Sequence, residues 1–266
     1  MLTWKEQEGL PYLQWPGFSS ILRHAYSSRI GGVSSAVYHS LNLGFYSKDE
    51  ESLVRENWKR FLRALGLEEL PLVHCRQVHG ARVKKASFKG DLSSMGRCDA
   101  IWTDEKGRIL AIITADCMPV FLLCKEPLFI AAVHAGWRGL ASRIVSNTLK
   151  EISHSKSFDS KDIHVLAGPH IGPCCYEIGS DTFDAFEKSF ASLAGIIEVG
   201  SEGETYLDLG AALKAECLSL GVPESQILIS DTCTCCHEDE FFSYRRSAGK
   251  ERGRMGNVIA LVSDGD

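Results

Sequence analysis

Apolar residues recur along this 266-residue chain at two different spacings. In four segments they return every three or four positions, which is the spacing of one face of a helix. Three of these segments end at a glycine, Gly66, Gly195 or Gly221, and glycine is a common helix terminator. The pattern predicts helices over residues 47–65, 140–152, 180–193 and 208–220.

Shorter apolar runs between these segments predict strands. Runs 110–115 and 129–133 are almost entirely apolar, so both of their faces should be covered. Runs 120–124 and 129–133 are separated by residues 125–128, a connection short enough for a hairpin. The remaining predicted strands are 100–103, 163–167, 227–230 and 258–262.

The mixture of helices and strands predicts an α/β fold, a mixed β-sheet or sandwich with flanking helices. No Gly/Ser-rich or Pro-rich linker divides the chain, so residues 1–266 are expected to form a single domain. The pattern does not give the order of the strands.

Charge and cysteine content narrow the class of protein. A net charge of -5 argues against a nucleic-acid or membrane-surface partner. The first 14 residues include charged side chains and lack a signal-peptide core, so we expect a cytoplasmic protein. Ten cysteines should then be reduced, which favours metal binding or catalysis over disulfides. No coiled-coil pattern is present, which favours a monomer.

Three possible metal ligands each stand at the end of an apolar run: His79, Cys117 and His134. Two imidazoles and one thiolate form a three-ligand zinc site with a fourth position open, as in catalytic sites. The predicted hairpin would bring Cys117 and His134 together, whereas His79 must be added by a long-range contact. Taken singly, each residue is more simply a buried thiol or an ordinary core or surface histidine. Taken together they favour a metal centre.

Two other segments contain arginines suited to an anionic substrate. Arg138 lies in the HAGWRG segment before a predicted helix, where it could hold a phosphate or carboxylate or form a structural ion pair. Arg245 and Arg246 end the FFSYRR segment, whose aromatic residues suit a ring-and-phosphate substrate, although a solvated amphipathic strand is the simpler interpretation.

A cysteine-rich segment, CTCCH at residues 233–237, allows a second zinc site from Cys233, Cys236 and His237. It lacks an obvious fourth ligand, which the Cys174–Cys175 pair would have to supply. The simpler interpretation is that most of these thiols are incidental. The C-x-x-C-H spacing for haem attachment is rejected, because that attachment occurs in exported proteins.

Several catalytic signatures are absent from the sequence. It contains no H-x-E followed by P-C-x-x-C, no H-E-x-x-H and no phosphate-binding glycine loop. It also has no H-x-H pair, which a multicopper oxidase would need.

Collinear motifs from about residue 20 onward resemble the YfiH family, also called the laccase-domain or multicopper polyphenol oxidase-like family. The matching segments are SRIGGVS (28–34), LNLG (41–44), QVHG (77–80), DAIWT (99–103), TADCMPV (114–120), VHAGWRG (133–139), GPHIG (168–172), CCYE (174–177), CT (233–234), FFSYRR (241–246) and GR (253–254).

The resemblance implies a single-domain α/β sandwich with a metal at His79, Cys117 and His134. The metal is normally Zn2+, although His and Cys ligands also suit Cu2+. It further implies purine nucleosides and phosphate as substrates, with phosphorolysis of adenosine, inosine or methylthioadenosine and deamination of adenosine. Arg29 and Arg245 or Arg246 would then hold phosphate, and Asn42 would contact ribose or base.

An alternative hypothesis is an amidohydrolase acting on peptidoglycan precursors or on a protein amide, with Cys117 as nucleophile and His134 as base. A copper-dependent phenol oxidase is a further alternative, and a non-enzymatic interaction protein fits an open three-ligand site poorly.

Overall fold

The apolar runs of the chain form two β-sheets that pack face to face, with helices outside them. The computed structural model describes residues 1–18, 21–86 and 92–262. The helices are α1 (Glu51–Ala64), α2 (Trp137–Ala141), α3 (Ile144–Ser153), α4 (Ser180–Ser189) and α5 (Leu209–Ser219). The strands are β1 (Thr3–Gln7), β2 (Leu10–Gln14), β3 (Leu22–Ser27), β4 (Leu72–Arg76), β5 (Val83–Lys85), β6 (Leu92–Arg97), β7 (Ala100–Thr103), β8 (Arg108–Thr114), β9 (Met118–Lys125), β10 (Leu128–Ala135), β11 (Ile163–Ala167), β12 (Ile197–Val199), β13 (Thr205–Leu207), β14 (Ile227–Ile229) and β15 (Met255–Leu261).

Both large sheets mix parallel and antiparallel neighbours. The first has seven strands in the order β1-β2-β3-β15-β8-β4-β6, and the second has six in the order β14-β11-β9-β10-β7-β5. Strands β12 and β13 form a separate pair. The apolar run of β8 lies between β15 and β4, and that of β10 lies between β9 and β7, so the most apolar strands occupy interior positions.

Alternation along the strands gives the molecule its layers. In β9, Phe121 and Leu123 face the first sheet, while Val120, Leu122 and Cys124 face the helices α2 to α5. Helix α1 covers the outer face of the first sheet. The ring of Tyr26 from β3 stacks on Phe121 with centroids 4.9 Å apart, which joins the two sheets. The result is a four-layer helix–sheet–sheet–helix sandwich, which confirms the predicted sandwich with flanking helices.

Strands β7 and β11 have the predicted bounds, and the predicted hairpin joins β9 to β10 through Glu126 and Pro127. The prediction of one helix over 140–152 was wrong. Arg143 has a left-handed backbone with φ of 57° and separates α2 from α3. Its guanidinium lies 3.8 Å from the ring centroid of Phe190 and bonds to the carbonyl of Ser189, so a tertiary contact accounts for the break.

The strands before residue 100 were not predicted. β1 is mostly exposed and β5 is only three residues long, so neither has a strong apolar pattern. Within the described residues, none of the helices has the length and apolar content needed to cross a membrane.

Candidate metal centre

The side chains of His79, Cys117 and His134 converge at one end of the sandwich. Their possible ligand atoms, two imidazole nitrogens and one thiol sulfur, all lie within 4.8 Å of one another. The two imidazole rings meet edge to face, with centroids 4.9 Å apart. His134 is buried, Cys117 is half-buried and His79 is exposed, so the group opens toward solvent on the His79 side.

The hairpin of β9 and β10 places two of these residues together. His134 pairs with Pro119, which is two residues from Cys117. The sequence placed each of them just after a strand, but His134 lies within β10 and Cys117 immediately precedes β9. His134 shares a strand face with Ile130 and Ala132, which point toward the first sheet, so its ring faces the gap between the sheets at their edge.

A buried carboxylate, Asp99, orients both histidines. Its Oδ1 accepts hydrogen bonds from Nδ1 of His134 at 2.9 Å and from the backbone N–H of His79 at 2.8 Å. Oδ1 also accepts from Val78 N–H at 3.1 Å, and Oδ2 accepts from Gly80 N–H at 2.8 Å. Because Nδ1 of His134 is bonded to the carboxylate, Nε2 is the nitrogen left for a metal. Asp99 is fully buried and stands directly before β7.

The loop that carries His79 is fixed at its start as well. The Gln77 side chain donates from Nε2 to the carbonyl of Ile113 and accepts from its N–H, both at 2.7 Å. His79 itself has a left-handed backbone with φ of 58°, an uncommon conformation for a residue with a Cβ. The bonds from Gln77 and Asp99 therefore hold a strained turn that aims His79 at the other two ligands.

Cys117 and His134 form a mutually charged pair in the absence of metal. Burial raises the pKa of the Cys117 thiol, but the charge of His134 and hydrogen bonds with His134 and His79 lower it further, to about 6. Burial lowers the pKa of His134, but the charge of Cys117 and the bond to Asp99 raise it further, to about 9. Thiolate and imidazolium therefore coexist near neutral pH.

The space beside these side chains depends on a glycine. A Cβ on Gly136 would lie 3.0 Å from Sγ of Cys117 and 3.5 Å from Cδ2 of His79. The first distance is tighter than ordinary carbon–sulfur contact, so only glycine leaves the ligands their present positions. A set of two nitrogens and one thiolate, with an oriented imidazole and a side open to solvent, fits a zinc ion of the catalytic type.

Three of the residues predicted to bind substrate are engaged elsewhere. Asn42 is fully buried and bonds to Ser47, Asp49 and the backbone of Gly44 and Arg254. Arg29 pairs with Glu251 at 2.6 Å, donates to two backbone carbonyls and lies over the ring of Phe242. Arg246 pairs with the same Glu251 and donates to three backbone carbonyls. These contacts indicate that all three residues position loops.

Arg29 and Arg246 also line a surface cavity of about 800 Å³ whose lining residues include none of the three candidate ligands. Both arginines pair with Glu251, which lines the same cavity.

Arg138 and Arg245, by contrast, belong to segments that reach the ligands: Arg138 lies two residues after Gly136, which adjoins Cys117, and the N–H of Arg245 bonds to Asp116, the residue before Cys117. Burial raises the pKa of the Tyr176 phenol, and the charges of Cys117, Arg245, Asp116 and Arg138 also act on this phenol. The exposed Arg138 guanidinium packs over the Trp137 ring at 4.1 Å and, among the described residues, makes no ion pair. Arg245 donates to the carbonyl of Glu177 at 2.8 Å.

A further arginine, Arg254, faces the same region. Burial lowers the pKa of its guanidinium, whereas the charges of Asp116 and Cys117 raise it. Arg138, Arg245 and Arg254 thus contribute positive charge around the centre, which suits an anionic substrate.

Asp116 directly precedes Cys117 and lies between β8 and β9, with a left-handed φ of 86°. Its Oδ1 accepts from Oγ1 of Thr234 at 2.8 Å and its Oδ2 accepts from the backbone N–H of Arg245 at 2.7 Å. Asp116 thus anchors two distant loops beside Cys117.

Comparison with known proteins places this site in a family. Residues 23–262 match the sequence model of the family described as multi-copper polyphenol oxidoreductase laccase. The chain belongs to this family. It is 36% identical over 253 residues to "Purine nucleoside phosphorylase YfiH" of Escherichia coli K12, covering 94% of this chain and 97% of the relative. It is 32% identical over 244 residues to "Purine nucleoside phosphorylase YlmD" of Geobacillus stearothermophilus, covering 89% and 88%.

Solved structures of family members share the fold. The crystal structure of YlmD from Geobacillus stearothermophilus matches with a TM-score of 0.89 at 31% identity and covers 97% of this chain and 98% of that chain. A Bacillus licheniformis protein named YfiH matches with a TM-score of 0.90 at 27% identity and the same coverage. The family and the sandwich fold predicted from the sequence motifs are confirmed.

Sequence reasoning did not assign roles to Asp99, Tyr176 or Arg254, although each stands in one of the quoted motifs. Asp99 directly precedes the apolar run 100–103, so an aspartate at the start of a predicted strand was the available signal. Tyr176 and Arg254 offered no comparable signal, because their proximity to Cys117 comes entirely from the packing of loops distant in sequence.

Proposed function

We propose that the chain is a metal-dependent purine nucleoside phosphorylase whose reaction takes place at His79, Cys117 and His134. The observation that carries the proposal is the convergence of these three side chains within 4.8 Å on a side open to solvent, where the charges of Arg138 and Arg245 act on Tyr176. The names of the relatives give the substrate class. Zn2+ suits the ligand set, with Cu2+ as the second possibility.

In the proposed reaction, the bond between C1′ of the ribose and N9 of the purine breaks. A bond between C1′ and a phosphate oxygen forms, and the purine leaves with a proton. When bound at the three side chains, zinc would supply a Lewis acid with an open coordination position. Adenosine, inosine and methylthioadenosine are the proposed substrates, and deamination of adenosine is a proposed second reaction.

The residues of the chain take distinct parts in this proposal. Arg138 and Arg245 hold the phosphate, since a guanidinium matches its oxygens with forked hydrogen bonds. Tyr176 keeps its phenol proton, because burial raises its pKa, and Oη can donate a hydrogen bond. Asp99 keeps the His134 ring in place. Of the residues predicted from the sequence, Arg29, Arg246 and Asn42 keep the structural contacts described above and are left out of the proposed substrate site.

A second candidate rests on the alignment of Cys117, His134 and Asp99. Nδ1 of His134 bonds to Asp99 at 2.9 Å, while the ring contacts Cys117 on its other side. A thiol, an imidazole and an orienting carboxylate in this order are the groups of a cysteine hydrolase acting on amides. The family description also names a multi-copper oxidase, which would need several histidine-containing copper sites. Among the residues that the structure describes, only one candidate metal cluster contains histidine, so oxidation of phenols is not proposed.

The test is product analysis with adenosine, with and without phosphate, on zinc-loaded wild type and two variants. Cys117→Ala removes the thiolate ligand. Cys124→Ala is the matched control, because Cys124 is a buried cysteine near the other end of β9. We expect phosphate-dependent release of adenine and ribose 1-phosphate from wild type and control but not from Cys117→Ala. Absence of phosphate-dependent base release from all of the tested nucleosides would contradict the proposal.

Treatment with iodoacetamide distinguishes the amide hydrolase from the metal-dependent phosphorylase. A metal-bound Cys117 thiolate should be protected until zinc is removed, whereas hydrolysis by a free thiolate should proceed in the metal-free protein and stop on alkylation. Inosine formed from adenosine would identify deamination in the same product analysis.

A further inference from the structure

A second cluster of metal-binding side chains lies outside the three-ligand centre. The sulfur atoms of Cys174, Cys175, Cys233 and Cys236 all lie within 4.8 Å of one another. Sγ of Cys236 is 3.6 Å from Sγ of Cys174 and 3.4 Å from Sγ of Cys175. Two turns supply them, one between β11 and α4 and the other after β14. We call this group the cysteine tetrad.

The sequence suggested a different set for this region. His237 was the third candidate ligand of the segment, but its Nδ1 lies 3.8 Å from Glu240 and it is not part of the cluster. The interpretation of these thiols as incidental depended on the missing fourth ligand. The fold supplies it by bringing the adjacent cysteines Cys174 and Cys175 against Cys233 and Cys236.

The separations match the dimensions of a single tetrahedral ion. With metal–sulfur bonds of about 2.3 Å, the sulfurs of a tetrahedral zinc site are about 3.8 Å apart. Cys233 and Cys236 also have the C-x-x-C spacing of zinc-binding turns. Four sulfur ligands in a tetrahedron favour zinc or iron, and sulfurs this close suit one ion rather than an iron–sulfur cluster.

The backbone around the tetrad is arranged to receive these sulfurs. The N–H of Gly172 donates to Sγ of Cys233 at 3.2 Å, and such a bond stabilises a thiolate ligand. A Cβ on Gly172 would lie 3.4 Å from Sγ of Cys174 and 3.4 Å from Cβ of Cys233. These are ordinary van der Waals distances, so the two turns are in contact at Gly172.

We propose that Cys174, Cys175, Cys233 and Cys236 together bind one Zn2+ ion in a closed four-thiolate site. With four protein ligands no coordination position is left for substrate, so the ion is structural and distinct from the three-ligand centre.

The tetrad is joined to the three-ligand centre by hydrogen bonds to one residue. Thr234, between two of the cysteines, donates from Oγ1 to Oδ1 of Asp116 at 2.8 Å. The N–H of Ile171, at the start of the other turn, donates to the carbonyl of Asp116 at 2.9 Å. Asp116 directly precedes Cys117. A metal in the tetrad therefore fixes the two turns that hold the Cys117 loop.

The test is metal analysis of the chain purified with reductant and without chelator, then equilibrated with Zn2+ and desalted. Wild type should hold about two zinc ions per chain. The variant Cys174→Ser/Cys236→Ser should hold about one, and Cys117→Ala should hold about one, through loss of the other ion. Cys235→Ser is the matched control, because this cysteine lies in the same turn outside the tetrad, and it should keep both ions.

Substitution with Co2+ checks the ligand set of each centre separately in the variants that keep only one of them. The sulfur-to-cobalt charge-transfer band of Cys117→Ala should have the intensity of four thiolates, about four times that of the Cys174→Ser/Cys236→Ser variant, which keeps only the Cys117 thiolate. Native mass spectrometry of wild type counts the ions even where a variant fails to fold.

Three results would overturn the tetrad proposal. They are a single zinc in wild type that is lost with Cys117, loss of the second ion in Cys235→Ser, and a disulfide within the tetrad in the purified protein. Failure of nucleoside turnover with two ions bound would contradict the proposed function alone, so the two proposals fail separately.

Discussion

Replacing Asp99 with asparagine tests how the candidate metal centre is held. The asparagine side chain has nearly the same shape, and its oxygen can keep the bonds now made to Oδ1 by His134 and the His79 backbone. Its NH2 group, however, would stand where Oδ2 accepts from Gly80 N–H at 2.8 Å, so a donor would face a donor. The substitution also removes the negative charge that the His134 ring contacts.

The expected magnitude follows from that change. Loss of a buried hydrogen bond to a charged group costs about 1.5–3 kcal/mol. If this cost falls on the orientation of the ligands, zinc affinity drops roughly 10- to 100-fold, since each tenfold is about 1.4 kcal/mol. The same range is typical when a residue that orients a metal ligand is changed.

Occupancy of the three-ligand centre can be read without interference from the cysteine tetrad. Zinc is titrated against a competing chelator, the samples are pulsed with iodoacetamide, and alkylation of the Cys117 peptide is measured by mass spectrometry. The matched control is Asp104→Asn, at the other end of β7. Asp104 pairs with Lys85 at 2.9 Å and Lys156 at 2.8 Å, so its replacement should leave zinc protection of Cys117 unchanged.

A folded Asp99→Asn protein with wild-type zinc affinity at Cys117 would refute the assignment of Asp99 as the residue that orients the centre. Equal losses in the Asp99 and Asp104 variants would also refute it, because they would indicate a general effect on the fold. Circular dichroism of each variant establishes that it is folded.

Three other predictions follow from the same geometry. In metal-free protein, the rate of Cys117 alkylation should rise with pH through a midpoint near 6, because neighbouring His134 lowers the thiol pKa to about 6 and the thiolate is the reactive form. A midpoint near the ordinary thiol pKa of about 8.5 would contradict the contact between Cys117 and His134. Gly136→Ala should weaken zinc binding at Cys117, because the new Cβ would lie 3.0 Å from Sγ. The chelator titration described above measures the zinc affinity, and an affinity equal to that of wild type would show that the space beside the ligands is not needed. Arg138→Gln should raise the KM for phosphate about tenfold or more without lowering the melting temperature, because this exposed guanidinium makes no ion pair among the described residues; a lower melting temperature with unchanged KM would assign it a structural role instead.

The sequence predicted the parts of the fold that have continuous apolar strands. β8, β9 and β10 were found because both faces are covered and their residues are uniformly apolar. β1 and β5 were missed because they lie at sheet edges, where few apolar residues are needed. The break at Arg143 was also missed, since it depends on the ring of Phe190, the residue that follows α4.

For the candidate site, motifs named residues but could not show their neighbours. Arg29, Asn42 and Arg138 all lie in motifs, and their sequence contexts suggested similar roles. The structure distinguishes them, because Arg29 and Asn42 have their polar groups bonded within the protein while Arg138 lies two residues after Gly136, which adjoins Cys117. The cysteine tetrad shows the same limit, since Cys174 and Cys236 meet across 62 positions in sequence.

Zinc reconstitution of metal-stripped wild type is the most direct test of the central claim, with phosphate-dependent adenine release from adenosine as the readout. The account predicts that stripping abolishes release, that Zn2+ restores it in wild type, and that Cys117→Ala stays inactive at any zinc concentration. Undiminished phosphorolysis by the stripped protein, or by Cys117→Ala, would contradict a metal-dependent reaction at His79, Cys117 and His134.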